Sequence, residues 1–262
     1  MKKDQFVIAC IESPADAATL IPYAQHCARS LNNKGLLLLN VSREGQSEWL
    51  KDYGIPYIGL KGEWKAAIDT LPTALNAILA VALVKRDAPT SSITHPRTFL
   101  RAFRHCRVAY VACCGQWTED RVQWPQTTLL TLDHSRESKE KFIWASYLVR
   151  HLHTRLTVAI PNYNDSLLQQ RCNNNLRALD KLFDSLDISY TPLQLPSVSL
   201  SASPDMLALQ EMQPDMLLTL TTDPRQRHLI DWLRPTAEQR ILERPLTTLF
   251  LNPRDDLYVL CD

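Results

Sequence analysis

Asp133 closes an apolar run, residues 127–132 (TTLLTL), and a polar turn follows it. A carboxylate at the carboxyl end of a strand in an open parallel sheet sits where such sheets bind ligands. It could accept hydrogen bonds from a ribose or a base, or it could cap the helix that follows. Glu12 ends a similar run, residues 6–11 (FVIACI), and both readings apply to it as well. The second candidate group is cationic. Arg225, Arg227, His228 and Arg234 crowd the segment after the apolar run at 216–221. Such side chains could hold an anion as forks and point charges, or form a solvated loop.

The remaining reactive residues do not assemble into a site. His151 and His153 are two apart on a helical pattern, so they point about 200° apart and cannot share a metal. Cys113-Cys114, His26-Cys27 and His105-Cys106 lack a second CxxC or HxxxH to complete a ligand set. There is no GxSxG and no acid pair at catalytic spacing, so a hydrolase or transferase is disfavoured and no enzyme is expected. Arg97, Arg101, Arg104 and Arg107 recur at three or four residues and form one basic helix face. With a net charge of +1 and no interleaved aromatics, that face reads as solvated rather than as a nucleic-acid contact.

Two copies of one pattern position these residues. Glu12 and Asp133 lie 121 positions apart, and the same offset pairs Tyr23 with Trp144, Ala24 with Ala145, Arg29 with Arg150 and Leu31 with Leu152. A period this long is not a solenoid unit; it indicates tandem domains, 1–118 and 119–262. In the first, apolar runs predict strands at 6–11, 36–41, 56–60, 77–84 and 107–113. Helical spacing marks 17–31, 63–75 (interrupted by Pro72) and 97–104, with a short helix at 47–53 and a loop at 87–96. In the second, 115–125 is a linker. Strands are expected at 127–132, 156–160, 188–195, 216–221 and 247–251, and helices at 135–154, 165–186, 203–213 and 236–244. Asp165 is the expected N-cap of its helix, Pro192 places its strand near an edge or bulge, and 257–261 could add an edge strand. Alternating strands and helices predict an α/β fold, two five-stranded parallel sheets with helices on both faces.

Composition narrows the function classes. At 262 residues, 45% hydrophobic and 22% charged, each half can bury a core. The charge balance supplies no field for nucleic acid or an anionic membrane. No apolar run reaches the roughly 20 residues of a spanning helix. The opening MKKDQFVIACIESP is too short in its apolar part for a signal sequence, so a cytoplasmic protein is expected. Seven cysteines, an odd count, read as buried thiols rather than a disulfide framework. All six glycines stand at or before Gly115. Backbone that wraps a phosphate needs glycine, so neither a Walker loop nor a GxGxxG turn exists in 116–262, and neither occurs earlier.

LLTLDHS at 129–135 and AEQRILERP followed by TTLFLN at 237–252 resemble the universal stress protein family in its tandem form. The basic segment FLRAFRHC with RVAYVAC, at 99–113, is a weaker match to the same ending. The resemblance implies the adenine nucleotide alpha hydrolase-like fold, and fifth strands that pair about a two-fold axis, here within one chain as a pseudo-dimer. It also implies ATP held partly by glycines after the fourth strand. Here that stretch, TTDPRQRHLIDWLRPTAEQ at 221–239, has none, and neither does DAPTSSITHP at 87–96. Glu12 replaces the usual Asp. The resemblance thus implies a non-catalytic stress-response protein that has lost glycine-loop ATP binding and acts by interaction with a protein partner or as a degenerate ligand sensor, with a homodimer also open. The alternative is a nucleotide-binding member that uses Asp133, Ser135, Arg225 and Arg227, with Thr236 standing in for the family's hydroxyl.

Overall fold

The structure, a computed structural model, describes residues 5–32, 34–42, 44, 47–114, 125–198, 203–222 and 235–253. In chain order it contains β1 (Phe6–Cys10), α1 (Pro14–Ser30), β2 (Gly35–Ser42), a 3-10 turn (Glu48–Tyr53), β3 (Tyr57–Lys61), α2 (Trp64–Ala74), β4 (Ala77–Leu83), α3 (Pro96–Phe103) and β5 (Ala109–Cys113). The second pattern follows as β6 (Thr127–Thr131), α4 (Ser138–Leu152), β7 (Arg155–Tyr163), α5 (Ser166–Ser185), β8 (Thr191–Val198), α6 (Pro204–Glu211), β9 (Met216–Leu220), α7 (Ala237–Leu242) and β10 (Thr247–Leu251). β1 and β6 stand at the offset of 121 that the side chains already show. The chain forms two compact units, Met1–Gln123 with Glu238–Asn252, and Trp124–Ala237 with Pro253–Asp262.

In the first unit the strand order is β3-β2-β1-β4-β5-β10. The first five run parallel and β10 is antiparallel to β5. Burial explains the apolar runs: Val7, Ile8, Ala9 and Ile11 are fully buried, as are Ala80 and Val81. β10 comes last in sequence yet belongs to this unit. All five of its residues are buried, and Phe250 stacks on Tyr110 at 5.6 Å within a cluster that includes Phe99 and Phe103. The helix expected to break at Pro72 continues to Ala74, and the Leu75 N–H still reaches the Leu71 carbonyl at 2.9 Å.

In the second unit the described strands run parallel in the order β9-β6-β7-β8. β7 outruns its expected end at 160 by taking in Pro161. The register shifts between Ile160 and Asn162, as expected for a residue with no N–H to donate to the ladder. β8 starts later than 188 because Ile188 closes α5: its N–H bonds the Phe183 carbonyl at 3.0 Å while Asp187 takes a left-handed φ of 53°. Pro192 lies in this edge strand, as its backbone requires. Asp165 caps α5 by accepting from the Leu167 and Leu168 N–H groups at 2.9 and 3.0 Å. The segments 223–234 and 257–261 fall outside the described residues. Among the described residues no helix is long and apolar enough to cross a membrane.

Six cysteines are described, all as free thiols; five are buried and Cys114 is partly exposed. Burial pushes Cys106 up to about 12, and Cys114 and Cys172 up to about 11. It pushes Cys10 and Cys113 up further. The thiolate is the nucleophile. At pH 8, iodoacetamide is therefore expected to alkylate Cys114 on the order of 100-fold more slowly than an exposed thiol, and the five buried thiols not at all until urea is added. Peptide mass spectrometry reads this directly; fast native alkylation of Cys27 or Cys113 would contradict it.

Candidate functional site

At the carboxyl end of β1, Glu12 is already engaged. Its carboxylate accepts the Ser92 hydroxyl, and the Ile93 N–H at 3.4 Å. Both donors belong to the glycine-free loop between β4 and α3. The Ser92 hydroxyl also meets that of Thr94 at 2.7 Å. Ile93 is fully buried, so this loop turns inward where its backbone meets the carboxylate. Asp16, one turn into α1, takes the Lys85 ammonium at 2.6 Å and the Ser13 hydroxyl at 2.7 Å. Ser13, not Glu12, is the N-cap of α1, and Pro14 follows at the first helical position.

The loop after β1 is held from below by β2. The Asn40 amide donates to the Ile11 carbonyl at 2.7 Å and the Glu12 carbonyl at 3.3 Å. Ser47 donates to Asn40 Oδ1 at 2.7 Å. Gly59 on β3 makes room for this arrangement, since a Cβ there would lie 2.4 Å from the Ser47 side chain. The glycine thus serves packing, not a phosphate.

At the carboxyl end of β6, Asp133 has a different set of partners. Its Oδ1 accepts the Ser135 N–H at 2.7 Å and the Ser135 hydroxyl, and its Oδ2 accepts the Lys141 ammonium at 2.6 Å. Asp133 is therefore not the N-cap of the next helix. It closes a local turn, and α4 starts three residues later than position 135, with Glu137 at its cap. Lys141 also donates to the Thr131 carbonyl. Its side chain is 3% exposed and that of Asp133 is 23% exposed, so the pair is largely out of water. Asn175 on α5 donates to the Asp133 and Ser135 carbonyls, each at 2.8 Å. It fixes the turn as Asn40 does in the first unit.

A second carboxylate stands nearby. Asp205, in the first turn of α6, accepts the Thr219 hydroxyl at 2.6 Å. Its buried Oδ1 and the buried Thr131 hydroxyl lack partners of normal hydrogen-bond geometry, although Thr131 is close enough to lower the Asp205 pKa. The Ser138 hydroxyl and His134 Nδ1 are also buried without a partner. His134 packs edge-on against Tyr163, 5.4 Å between rings, and burial followed by the Asp133 charge pushes the Tyr163 hydroxyl well up.

Burial alone would raise Asp133, but the Lys141 charge and the hydrogen bonds from Lys141 and Ser135 outweigh it and hold the carboxyl below its ordinary value. Asp205 ends on the other side. Burial raises it, the Lys141 charge and the hydroxyls of Thr219 and Thr131 only partly offset this, and Asp133 adds to the rise. The signs then follow from linkage. Asp133 binds its proton less tightly when folded, so it contributes stability above its unfolded pKa of about 3.9 and loses it as pH falls through the lower folded value. Asp205 binds its proton more tightly when folded, so it reduces stability as pH rises from about 3.9 through its raised folded value. Urea midpoints from pH 3 to 8 should show Asp205→Asn gaining on the parent as pH rises and Asp133→Asn losing ground. Parallel curves for the two variants would refute the assignment.

Of the residues proposed from sequence, the structure brings Asp133 and Ser135 together. Thr236 is half-buried just before α7. Arg225, Arg227, His228 and Arg234 lie outside the described residues. His153 is not on a helix with His151; it follows α4 with a left-handed φ of 52°. Sequence reasoning missed Lys141, Asn175, Asp205, Ser92 and Ile93. One signal was available: Lys141 is a charged residue on the buried stripe that also holds Ser138, Phe142, Ala145 and Leu148. A cation on an apolar face calls for an anion to meet it.

No protein-family model matches the sequence, and no curated protein matches it significantly. Solved structures do resemble it. A universal stress protein from Archaeoglobus fulgidus DSM 4304 superposes with a TM-score of 0.64 at 10% identity, over 97% of this chain and 98% of that one. A putative universal stress protein from Pseudomonas aeruginosa UCBPP-PA14 gives 0.60 at 15% identity, over 97% and 94%. A protein of unknown function from Pseudomonas aeruginosa PAO1 gives 0.60 at 14% identity, over 98% and 94%. At these identities the likeness concerns the fold, and along nearly its whole length this chain has the universal stress protein fold.

Proposed function

We propose that this chain is a non-catalytic, universal stress protein-like stress-response protein, cytoplasmic and acting through protein contacts, that no longer binds ATP in the family's manner. The observation that carries this reading is the Lys141–Asp133 pair. The carboxylate that would meet a nucleoside is neutralised from inside by a buried ammonium, so a ligand would have to displace that ion pair from a largely dry environment. The first unit supports the same reading by other means, with Ser92 and Ile93 placed against Glu12. Neither half has glycine in the loops that would wrap a phosphate.

Calorimetric titration with ATP and Mg²⁺, together with chromatography of nucleotide released from heat-denatured purified protein, tests the proposal. No binding heat and no co-purified nucleotide are expected. Micromolar binding that vanishes in Asp133→Ala would overturn it in favour of a nucleotide-binding protein that uses Asp133 with the 223–236 segment. Steady heat from turnover would overturn the non-catalytic assignment.

A further inference from the structure

The basic face of α3 is the surface that neither the fold nor the strand-end sites account for. No acidic residue occurs from Ala88 to Thr118, while Arg97, Arg101, Arg104 and Arg107 all fall in that stretch. Arg97, Arg101 and Arg107 are exposed and Arg104 is half-exposed. Among the described residues none of the four makes an ion pair. On α2, which packs against α3, the nearby charges are the exposed Lys65 and the half-buried Asp69, and Asp69 acts on Cys106.

The stripe is held rigidly. Phe99, Ala102 and Phe103 are buried on the opposite side of the helix. The Asn252 amide then satisfies the Phe103 and Cys106 carbonyls at 2.8 and 2.9 Å, so the helix end is fixed where its backbone acceptors would otherwise be free. Positions 97, 101 and 104 lie within about 60° of one another around the helix, at rises of about 6 and 4.5 Å. Any α-helix with acids at i, i+4 and i+7 presents the same ladder of opposite charge. Arginine suits this role, because its planar fork meets a carboxylate with two parallel hydrogen bonds.

We propose that this arginine stripe is a docking surface for an acidic helical segment of a protein partner. It rests on the reading of the chain as one that works through protein contacts. The observations favour an acidic protein over nucleic acid. Among the described residues the large exposed apolar side chains, Ile143, Tyr147 and Leu167, all lie in the second unit, so none of them stands by the stripe in the first unit to stack a base. The chain as a whole carries a net charge of only +1. Docking of this kind is weak and salt-dependent, since each pair is exposed to solvent and screened by salt.

The test is fluorescence anisotropy of the full chain against a labelled helical peptide with glutamates at i, i+4 and i+7, and against a labelled single-stranded oligonucleotide, at 30 and 300 mM salt. The peptide is expected to bind at 30 mM salt. Affinity should fall about tenfold or more in Arg97→Glu/Arg101→Glu/Arg104→Glu and by a similar factor at 300 mM salt. The corresponding triple glutamine variant, expected to weaken binding by less, covers the case in which charge reversal prevents folding. Equal peptide binding by parent and glutamine variant, or no peptide binding at 30 mM salt, would overturn the proposal. Tighter binding of the oligonucleotide than of the peptide would overturn it in favour of a nucleic-acid contact. None of these results depends on the ATP titration, so each proposal can fail alone.

Discussion

Lys141→Met should lower stability by about 3 kcal/mol at pH 7, read as a drop in the urea midpoint. Methionine keeps most of the chain's length on the buried stripe of α4, so the loss reports the charge rather than a cavity. Three consequences add up. Asp133 keeps its burial but loses its cation. The Thr131 carbonyl loses a donor. Asp205, whose rise the Lys141 charge partly offsets, rises further. Adding Asp133→Asn removes the uncompensated charge and keeps an acceptor for the Ser135 N–H. The double variant should therefore be more stable than Lys141→Met alone, with a coupling energy of at least about 1 kcal/mol. A change within about 0.5 kcal/mol for Lys141→Met would mean that the ion pair is solvated in practice, and the case for a site closed from within would fall.

Ile93→Ala should cost about 3 kcal/mol, in the range for deleting a fully buried aliphatic side chain. Ile93 lies in the loop between β4 and α3, where mobile, exposed residues are the rule, yet it is 0% exposed. The loop is pinned at three further points. Ser92 bonds Glu12, the Lys85 N–H bonds the Thr94 carbonyl at 2.8 Å, and the Thr98 hydroxyl bonds the Thr90 carbonyl at 2.5 Å. These bonds restrict collapse into the void, which keeps the cost near the middle of the range. Ser91→Ala on the same loop, at an exposed position, should change stability by less than about 0.5 kcal/mol. If Ile93→Ala were as mild as that control, the loop would not be packed against the end of β1. The ATP titration repeated on Ile93→Ala then asks whether opening this corner is enough for binding; none is expected, because Glu12 and a glycine-free loop remain.

The two strand-end carboxylates are satisfied in different ways. In the second unit a cation eight residues beyond Asp133 pairs with it. In the first, a loop about 80 residues beyond Glu12 supplies the donors. What the two units share lies beneath these carboxylates. Asn40 and Asn175 each clamp the carbonyls of the turn after the first strand, although Asn40 stands on a strand and Asn175 on a helix.

The strands, most helices, the 121-residue offset and the position of Asp133 are legible in the amino-acid sequence alone, because they are written in local terms. Burial on both faces makes a strand a continuous apolar run, a helix repeats at 3.6 residues, and a duplicated domain keeps one offset along its length. Ser135 came from the family resemblance, and its bond to Asp133 two residues away came from the structure. The rest required distances that no local pattern encodes. Lys141 is ambiguous in sequence until Asp133 stands 2.6 Å from its ammonium. Ile93 looks like loop until it is seen buried. β10 follows the second pattern in sequence but pairs with β5, a pairing that the family resemblance implied and that no local pattern encodes, and the aromatic face of Tyr110, Phe99 and Phe103 buries Phe250. The place of Asp133 at the end of a strand was therefore readable from sequence, whereas its pairing with a buried lysine came from packing α4 across the end of β6.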